Sequence, residues 1–477
     1  MEMEITGQVV RKLNFGRYLV STKTGVIVLD SREPLEYKAY VFKVTPQGAQ
    51  GQARGQGQDY TLISKRETDA KVEPEIKLAE NSLIIEDEVM GRLKPMIRDC
   101  AERIARAEKS GRSIMIRYHN DADGISGGLA IYLALKKGKS RPLHRQCPSV
   151  VYTPSDALID INLMTDSYKP LMIITDLGSG EESRDGIKLL KGAGFEVIMI
   201  DHHPYDNKPE VDCYLSGWTQ KPETKLEARA TEIKEIETKK KDFSKYTAGY
   251  LTAEVARALG LEDETANKLA SISFSGDKST LDYPKDDKSS LVFDYVGRYT
   301  FFPNTLDFYS SVLNNAGLYD SIYTQASEKL DNIRREGVNY LKIKEFDKQV
   351  RAEDGAMTGE NFKLIVGLIN ADKIIKKFEF PSKAKTTSIM FETLAEKYPG
   401  LPVIMMGHGK KMITFRVNDR AAELGYSGRG LIKEVMAEFP DMIISGGGHA
   451  KAASIRTSSS DYTKIIMDWF LERIKSK

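Results

Sequence analysis

Three short clusters of aspartate and histidine could do metal chemistry. The first is His119-Asn120-Asp121-Ala122-Asp123-Gly124. In the second, Asp176 precedes Leu177-Gly178-Ser179-Gly180, and in the third Asp201, His202 and His203 stand together before Pro204. Carboxylate oxygens and imidazole nitrogens without cysteine suit Mn²⁺ or Mg²⁺ better than structural zinc. In extended chain, side chains at i, i+2 and i+4 project to one side, which would aim His119, Asp121 and Asp123 at one cation. D-x-D-G alone is a weak signal, because turns before helices favour Asp, and a single Asp at 176 reads as a helix cap. Two adjacent histidines after an aspartate have few structural explanations. Of six histidines, three lie in these clusters and a fourth, His449, ends the run Ser445-Gly446-Gly447-Gly448-His449. A satisfied core histidine would account for any one of them, but not for the clustering.

The elements that must hold these residues follow from hydrophobic periodicity. Apolar runs at 113–118, 170–175 and 195–200 read as buried parallel strands, with helical segments at 125–137 and 181–191 after the first two. Such βα alternation implies an α/β fold with a doubly wound parallel sheet. Each acidic cluster then falls at the carboxyl end of a strand, the edge where open α/β sheets bind ligands. A helix is expected over 87–109, kinked or restarted at Pro95, and further helices over 246–259 and 265–273. Residues 220–245, rich in Lys and Glu, read as an exposed helix or insertion.

In front, β-rich runs at 5–12, 17–22, 26–30, 37–44 and 59–65 suit a small OB-like β barrel. The Gly/Gln/Ala-rich run 48–58 reads as a mobile loop. OB barrels often bind oligonucleotides through the equivalent loop; a barrel that only docks on its own chain is an equal alternative. Residues 300–385 read as mostly helical, notably 326–352. Strands near 402–406, 411–417 and 452–456 and a helix at 462–474 make a smaller C-terminal α/β lobe. The expected domains are 1–70, 85–300, a helical connector at 301–385, and 386–477.

Composition sets the outer limits. Seventy basic against sixty-eight acidic residues leave a net charge of +2, so any nucleic-acid contact depends on local basic patches rather than a global field. Cys100, Cys147 and Cys213 are scattered and odd in number, which points to reduced thiols in a cytosolic protein. The acidic start lacks a signal-peptide pattern, and no apolar run approaches the roughly 20 residues that span a bilayer. A cytoplasmic protein without membrane contact is expected.

The order D-x-D, Asp176, D-H-H, then Asp277 in Ser275-Gly276-Asp277 resembles the DHH phosphoesterase superfamily. Ser445–His449 is similar to the glycine-rich signature of the domain that accompanies DHH lobes, and Arg416 matches an arginine such domains use on substrate. Within the superfamily, chain length and the H-x-D-A-D-G form resemble the archaeal RecJ-like exonucleases. The resemblance implies a two-metal exonuclease that hydrolyses single-stranded DNA or RNA with metal-activated water, Mn²⁺ preferred over Mg²⁺. It places His119 and Asp121 on one metal and Asp123, His202 and Asp277 on the other, with Asp176 bridging. Asp201 would act behind the ligands, and His203 would orient one or touch the scissile phosphate. Backbone N–H groups at a 446–448 turn would approach phosphate, joined by Arg416 and His449. The two lobes would face each other across a groove for a single strand, where Tyr118 or Phe274 could stack on bases, although both are more often core residues. A phosphodiesterase for short oligonucleotides or cyclic dinucleotides shares the same centre. The resemblance also brings in a replisome scaffold associated with GINS-type replication proteins; loss of ligands would mark a pure scaffold, and none is missing.

Overall fold

In a computed structural model of the chain, the described residues are 2–47, 59–138, 140–205, 207–220, 243–299, 305–351, 357–376, 379–448 and 450–476. The expected loop at 48–58 and most of the 220–245 insertion lie outside them, as does His449. The chain divides into two compact units: 1–290 with 301–311, and 291–300 with 312–477. Among the described residues, no helix is long and apolar enough to cross a membrane.

The first unit opens with β1 (Met3–Lys12), β2 (Arg17–Thr22), β3 (Gly25–Asp30), β4 (Ala39–Pro46) and β5 (Asp59–Glu67). They close into a barrel in the order β1-β2-β3-β5-β4, the OB arrangement. Strand alternation turns Tyr18, Val20, Leu29 and Phe42 into the barrel core. It turns Leu19, Ser21, Val26 and Val28 outward, yet Ser21 and Val28 are buried. On the same face Leu19 and Val26 press against Gly111, where a Cβ would lie 2.9 Å from Leu19 and 3.0 Å from Val26. On β1, the Tyr168 N–H donates to Val10 O at 2.7 Å and the Lys12 N–H to Asp166 O at 3.0 Å. The barrel is therefore docked on its own chain.

A parallel α/β lobe follows. Helix α1 (Glu88–Lys109) is capped by Asp87 and runs unbroken through Pro95, so the expected restart is not found. After it come β6 (Ile114–His119), α2 (Ala122–Lys137), β7 (Leu143–Cys147), α3 (Pro154–Leu163), β8 (Leu171–Thr175), α4 (Arg184–Gly192), β9 (Glu196–Ile200), β10 (Cys213–Leu215), α5 (Ala248–Ala258) and α6 (Asp263–Gly276). The sheet order is β10-β9-β8-β6-β7, with every pairing parallel. One face of the sheet, with Met115, Met172, Ile174 and Met199, packs on Ala157 of α3 and on Ile187 and Leu190 of α4. On the other face α2 comes close enough that a Cβ at Gly128 would be 2.8 Å from Tyr118, and one at Gly127 would be 2.5 Å from Thr175 Oγ1. Strands β7 and β10 escape a periodicity reading because the first is polar and the second has three residues.

The second unit corrects the sequence reading. Helices α7 (Asp287–Tyr299), α8 (Thr305–Asn314) and α9 (Ala316–Gly337) lead from one unit to the other, but the helix expected over 326–352 ends at Gly337. Strands β11 (Lys342–Arg351) and β12 (Met357–Asn370) form a hairpin, and β12 pairs in parallel with β13 (Val403–Gly409). Apolar residues at 343, 346 and 350 fit a helical period, which explains the error. Pairing with the continuous apolar run of β12 decides the outcome. With α10 (Lys383–Lys397), β14 (Met412–Val417), α11 (Asp419–Glu423), α12 (Gly428–Glu438), β15 (Ile443–Gly448), β16 (Ala452–Thr457) and α13 (Ser460–Ser476), the sheet order is β11-β12-β13-β14-β16-β15. A boundary at 386 would cut this sheet, so 301–385 is not a separate helical connector.

Candidate metal centre

The residues converge at the carboxyl edge of the parallel sheet, through local geometry the sequence only partly anticipates. The chain does not stay extended from His119 to Asp123. Asp121 is the N-cap of α2, accepting the Gly124 N–H at 3.1 Å, and Asp123 lies in the first helical turn. His119 Nδ1 is 2.7 Å from Asp121 Oδ2 and 3.3 Å from Asp176 Oδ2. Asp176 is not a helix cap: it sits in the left-handed region, with φ of 61°. A non-glycine residue there is strained, and Asp tolerates it better than most.

Asp201 is buried and fully engaged. Its Oδ1 accepts the His202 N–H at 2.8 Å and the His203 N–H at 3.2 Å and lies 2.8 Å from His203 Nδ1, while Oδ2 accepts the Ser179 N–H at 3.2 Å. These contacts shape the loop and orient the His203 ring. His202 Nδ1 is 2.8 Å from Ser244 O, so the ring donates there and leaves Nε2 with a lone pair. That Nε2 faces three carboxylates: Asp277 Oδ2 at 2.8 Å, Asp176 Oδ1 at 3.3 Å and Asp123 Oδ2 at 3.5 Å. Asp277 arrives as the C-cap of α6. Gly276 lets it approach, since a Cβ there would be 2.9 Å from Ala122 Cβ.

Asp123 is held from behind. Its Oδ1 accepts the Gly249 N–H at 2.7 Å and the Ser273 hydroxyl at 2.5 Å, and its Oδ2 accepts the Ala248 N–H at 3.0 Å. The carboxylate thus sits on the N-terminus of α5, where the helix dipole favours it. Ser244, Gly249 and Ser273 were missed by sequence reasoning. None lies in a cluster or at a telling spacing.

The electrostatics call for cations. Burial, with Asp176 and Asp277 nearby, pushes the Asp123 carboxyl well above its usual range; burial and the Asp121 charge raise Asp176. Burial opposes charge on His119 and His202, yet Asp121 beside the first and Asp277 beside the second push both well up. Burial is likewise outweighed at Asp121 and Asp201, which His119 and His203 hold well below the usual carboxylate range. A lone pair on His202 Nε2 among carboxylates is repulsive unless a proton or a metal ion sits between them. Asp176 Oδ1 is buried and has no hydrogen-bond donor among the described residues. The oxygen and nitrogen donors form three overlapping groups: His119, Asp121 and Asp176; Asp123, Asp176, His202 and Asp277; and Asp176, His202 and His203. Each group spans no more than 4.8 Å, and Asp176 belongs to all three. The residues present therefore fit a divalent-metal centre.

The second unit carries the remaining candidates. Arg416 lies on β14, its Nε donating to Ser388 Oγ at 2.8 Å and Nη1 to Phe415 O at 2.7 Å. Gly446, Gly447 and Gly448 are not a turn, as expected, but the end of β15 paired with β16. A Cβ at Gly446 would be 2.8 Å from Ile455, and Gly448 has φ of 125°. Tyr118 and Phe274, considered for stacking on bases, are fully buried.

This parallel α/β lobe gathers carboxylates and imidazoles at the carboxyl edge of its sheet, where open α/β sheets bind their ligands. Residues 113–258, which include this lobe's strands β6–β10, match the model of the DHH family, N-terminal domain. The protein MJ1198 of Methanocaldococcus jannaschii is 26% identical over 459 aligned residues, covering 86% of this chain. The chain spans 57% of the length of that relative. Among solved structures, the DHH domain of a member of the s1p family of ribosomal proteins superposes with a TM-score of 0.68 at 23% identity, over 83% of this chain and 94% of that one. RecJ of Thermus thermophilus in complex with Mn²⁺ gives a TM-score of 0.46 at 13% identity, over 78% and 54%. The former likeness shows a shared fold.

Proposed function

We propose that the protein is a two-metal-dependent exonuclease that hydrolyses phosphodiester bonds of single-stranded DNA or RNA. The observation that carries this reading is His202: its Nδ1 is turned to Ser244 O, which aims its Nε2 at Asp123, Asp176 and Asp277. Asp123, Asp176, His202 and Asp277 would hold one cation and His119, Asp121 and Asp176 the other. When bound, the ions would activate water and neutralise charge on the phosphate, with Mn²⁺ preferred over Mg²⁺. Asp201 keeps the His203 ring turned with Nδ1 inward, so its other nitrogen is the atom offered to a scissile phosphate. Asp123 is braced by three donors, which fixes its oxygens before substrate arrives. Arg416 and the backbone of Gly446–Gly448 would bind phosphates along the strand, joined by His449. The match of residues 113–258 to the DHH family supports this reading, and an association with GINS-type replication proteins is compatible with it.

The test uses single strands labelled separately at each end, as DNA and as RNA, with Mn²⁺ or Mg²⁺, beside a dinucleotide. Asp176→Asn is the control, since Asn tolerates a positive φ. Stepwise shortening of a long strand that is lost in the variant is expected. Turnover confined to the dinucleotide, or full activity in Asp176→Asn, would refute it.

A further inference from the structure

Outside the metal centre, two buried cysteines, Cys100 and Cys213, lie side by side. Cys100 lies in the middle of α1 and Cys213 opens β10, the edge strand of the parallel sheet. Both are buried, and their sulfur atoms are 2.8 Å apart, closer than two thiols rest in van der Waals contact. Among the described residues no group of His, Cys, Asp or Glu donors able to hold a metal includes either sulfur, so a shared ion does not explain the approach. Cys147, also buried, lies in the core of the parallel lobe, its sulfur meeting the Val151 carbonyl at 3.8 Å.

We infer that Cys100 and Cys213 are a disulfide-forming pair that clamps α1 onto the strand bracing the D-H-H loop. β10 pairs with β9, and Leu215 O accepts the N–H of Asp201 at 3.1 Å. Two residues beyond β10 comes Gly217, and then Trp218, whose indole N–H donates to His202 O at 2.9 Å. The Thr219 hydroxyl meets Met96 Sδ of α1 at 3.9 Å. A covalent link from α1 to Cys213 therefore fixes the segment on which Asp201 and His202 hang, without touching a metal donor. The oxidant is a small-molecule disulfide. One cysteine thiolate attacks it and releases one small thiol; the second thiolate attacks the mixed disulfide and releases the other. Both protein sulfurs are oxidised, the reagent disulfide is reduced to two thiols, and both protons pass to solvent or to those thiols. Burial holds the Cys100 thiol well above its usual range, so exchange proceeds while α1 is detached, and the finished bond is shielded from reductants. Closing the chain between residues 100 and 213 removes freedom chiefly from the unfolded state.

The experiment incubates the reduced full-length protein with cystamine just below its unfolding transition and quenches it in denaturant with N-ethylmaleimide for peptide mapping. The expected result is one linked peptide pair containing Cys100 and Cys213, with Cys147 alkylated. Alkylation of all three cysteines, or linkage through Cys147, would overturn the inference. In parallel, the oxidised protein should unfold roughly 5 °C or more above the reduced form. That difference should vanish in Cys213→Ala and persist in Cys147→Ala. A linked pair with no shift in unfolding temperature would overturn the clamp. These readouts need no nuclease activity, so they stand or fall separately from the proposed function.

Discussion

Replacing Ser273 by alanine tests how far the metal centre depends on groups that never touch the metal. Ser273 is buried; its hydroxyl donates to Asp123 Oδ1 at 2.5 Å, accepts the Tyr250 N–H at 3.2 Å and meets the Thr247 hydroxyl. Removing it deletes one of three hydrogen bonds to a buried carboxylate. A hydrogen bond to a charged group is worth about 1.5–3 kcal/mol. The Gly249 and Ala248 N–H donors remain, so Asp123 keeps its place but loses one restraint. Loss of such a supporting partner typically lowers metal affinity by about 10- to 100-fold. Titration of Mn²⁺ into metal-free protein, followed by calorimetry, should show a drop in that range, with a folded protein by circular dichroism. Ser275→Ala is the matched control, since that exposed hydroxyl donates to Asp287 and not to a ligand, and its affinity should match wild type. Equal Mn²⁺ affinity in Ser273→Ala and Ser275→Ala would refute the reasoning.

Gly249→Ala should be worse, because its Cβ would lie 2.8 Å from both Asp123 O and Ser273 Cβ; a loss of about 1–3 kcal/mol in chemical denaturation and weaker Mn²⁺ binding are expected. Arg117 is fully buried and pairs with Asp156 at 2.5 Å and with Asp160 at 3.3 Å, so Arg117→Met should cost about 3–5 kcal/mol by leaving those carboxylates short of a cation. Adding Asp160→Asn should recover part of that loss in the same denaturation assay. The Asp201–His203 pair sets a pH window. Asp201 is depressed, so its contribution is full above its unfolded pKa of about 4 and lost as pH falls through the folded value. His203 is raised by Asp201 against the effect of burial, so its contribution is full below about 6.5 and lost as pH rises through its folded value. Asp201→Asn should therefore lower the unfolding temperature most between about pH 4 and 6.5 in chelator, and less on either side.

The sequence announces the parallel lobe well because buried parallel strands are continuous apolar runs, and 113–118, 170–175 and 195–200 are such runs. Asp121, Asp123, Asp176, Asp201, His202 and His203 were visible by composition at strand ends. What composition could not show is how they are held. Asp123 reaches the site from a helical turn, and its support comes from Gly249 and Ser273, more than a hundred residues later. The hairpin of β11 and β12 was hidden because Ile343, Phe346 and Val350 mimic a helical stripe, and only the partner strand settles such a segment. The glycines at 446–448 looked like a turn, yet Gly446 is needed where Ile455 and Ile432 press against the strand.

The way the barrel is seated has a consequence for the evolution and engineering of the chain. In many OB modules the face of strands 2 and 3 is left open for oligonucleotides, but here its Leu19 and Val26 are spent on Gly111 of the neighbouring lobe. The barrel cannot be exchanged like a detachable reader head. A chain begun near residue 68 would strip the cover from Gly111 and leave the backbone at 166–168 without its partner strand, and it would be prone to self-association. A swap with a foreign barrel would succeed only if it reproduced that apolar footprint.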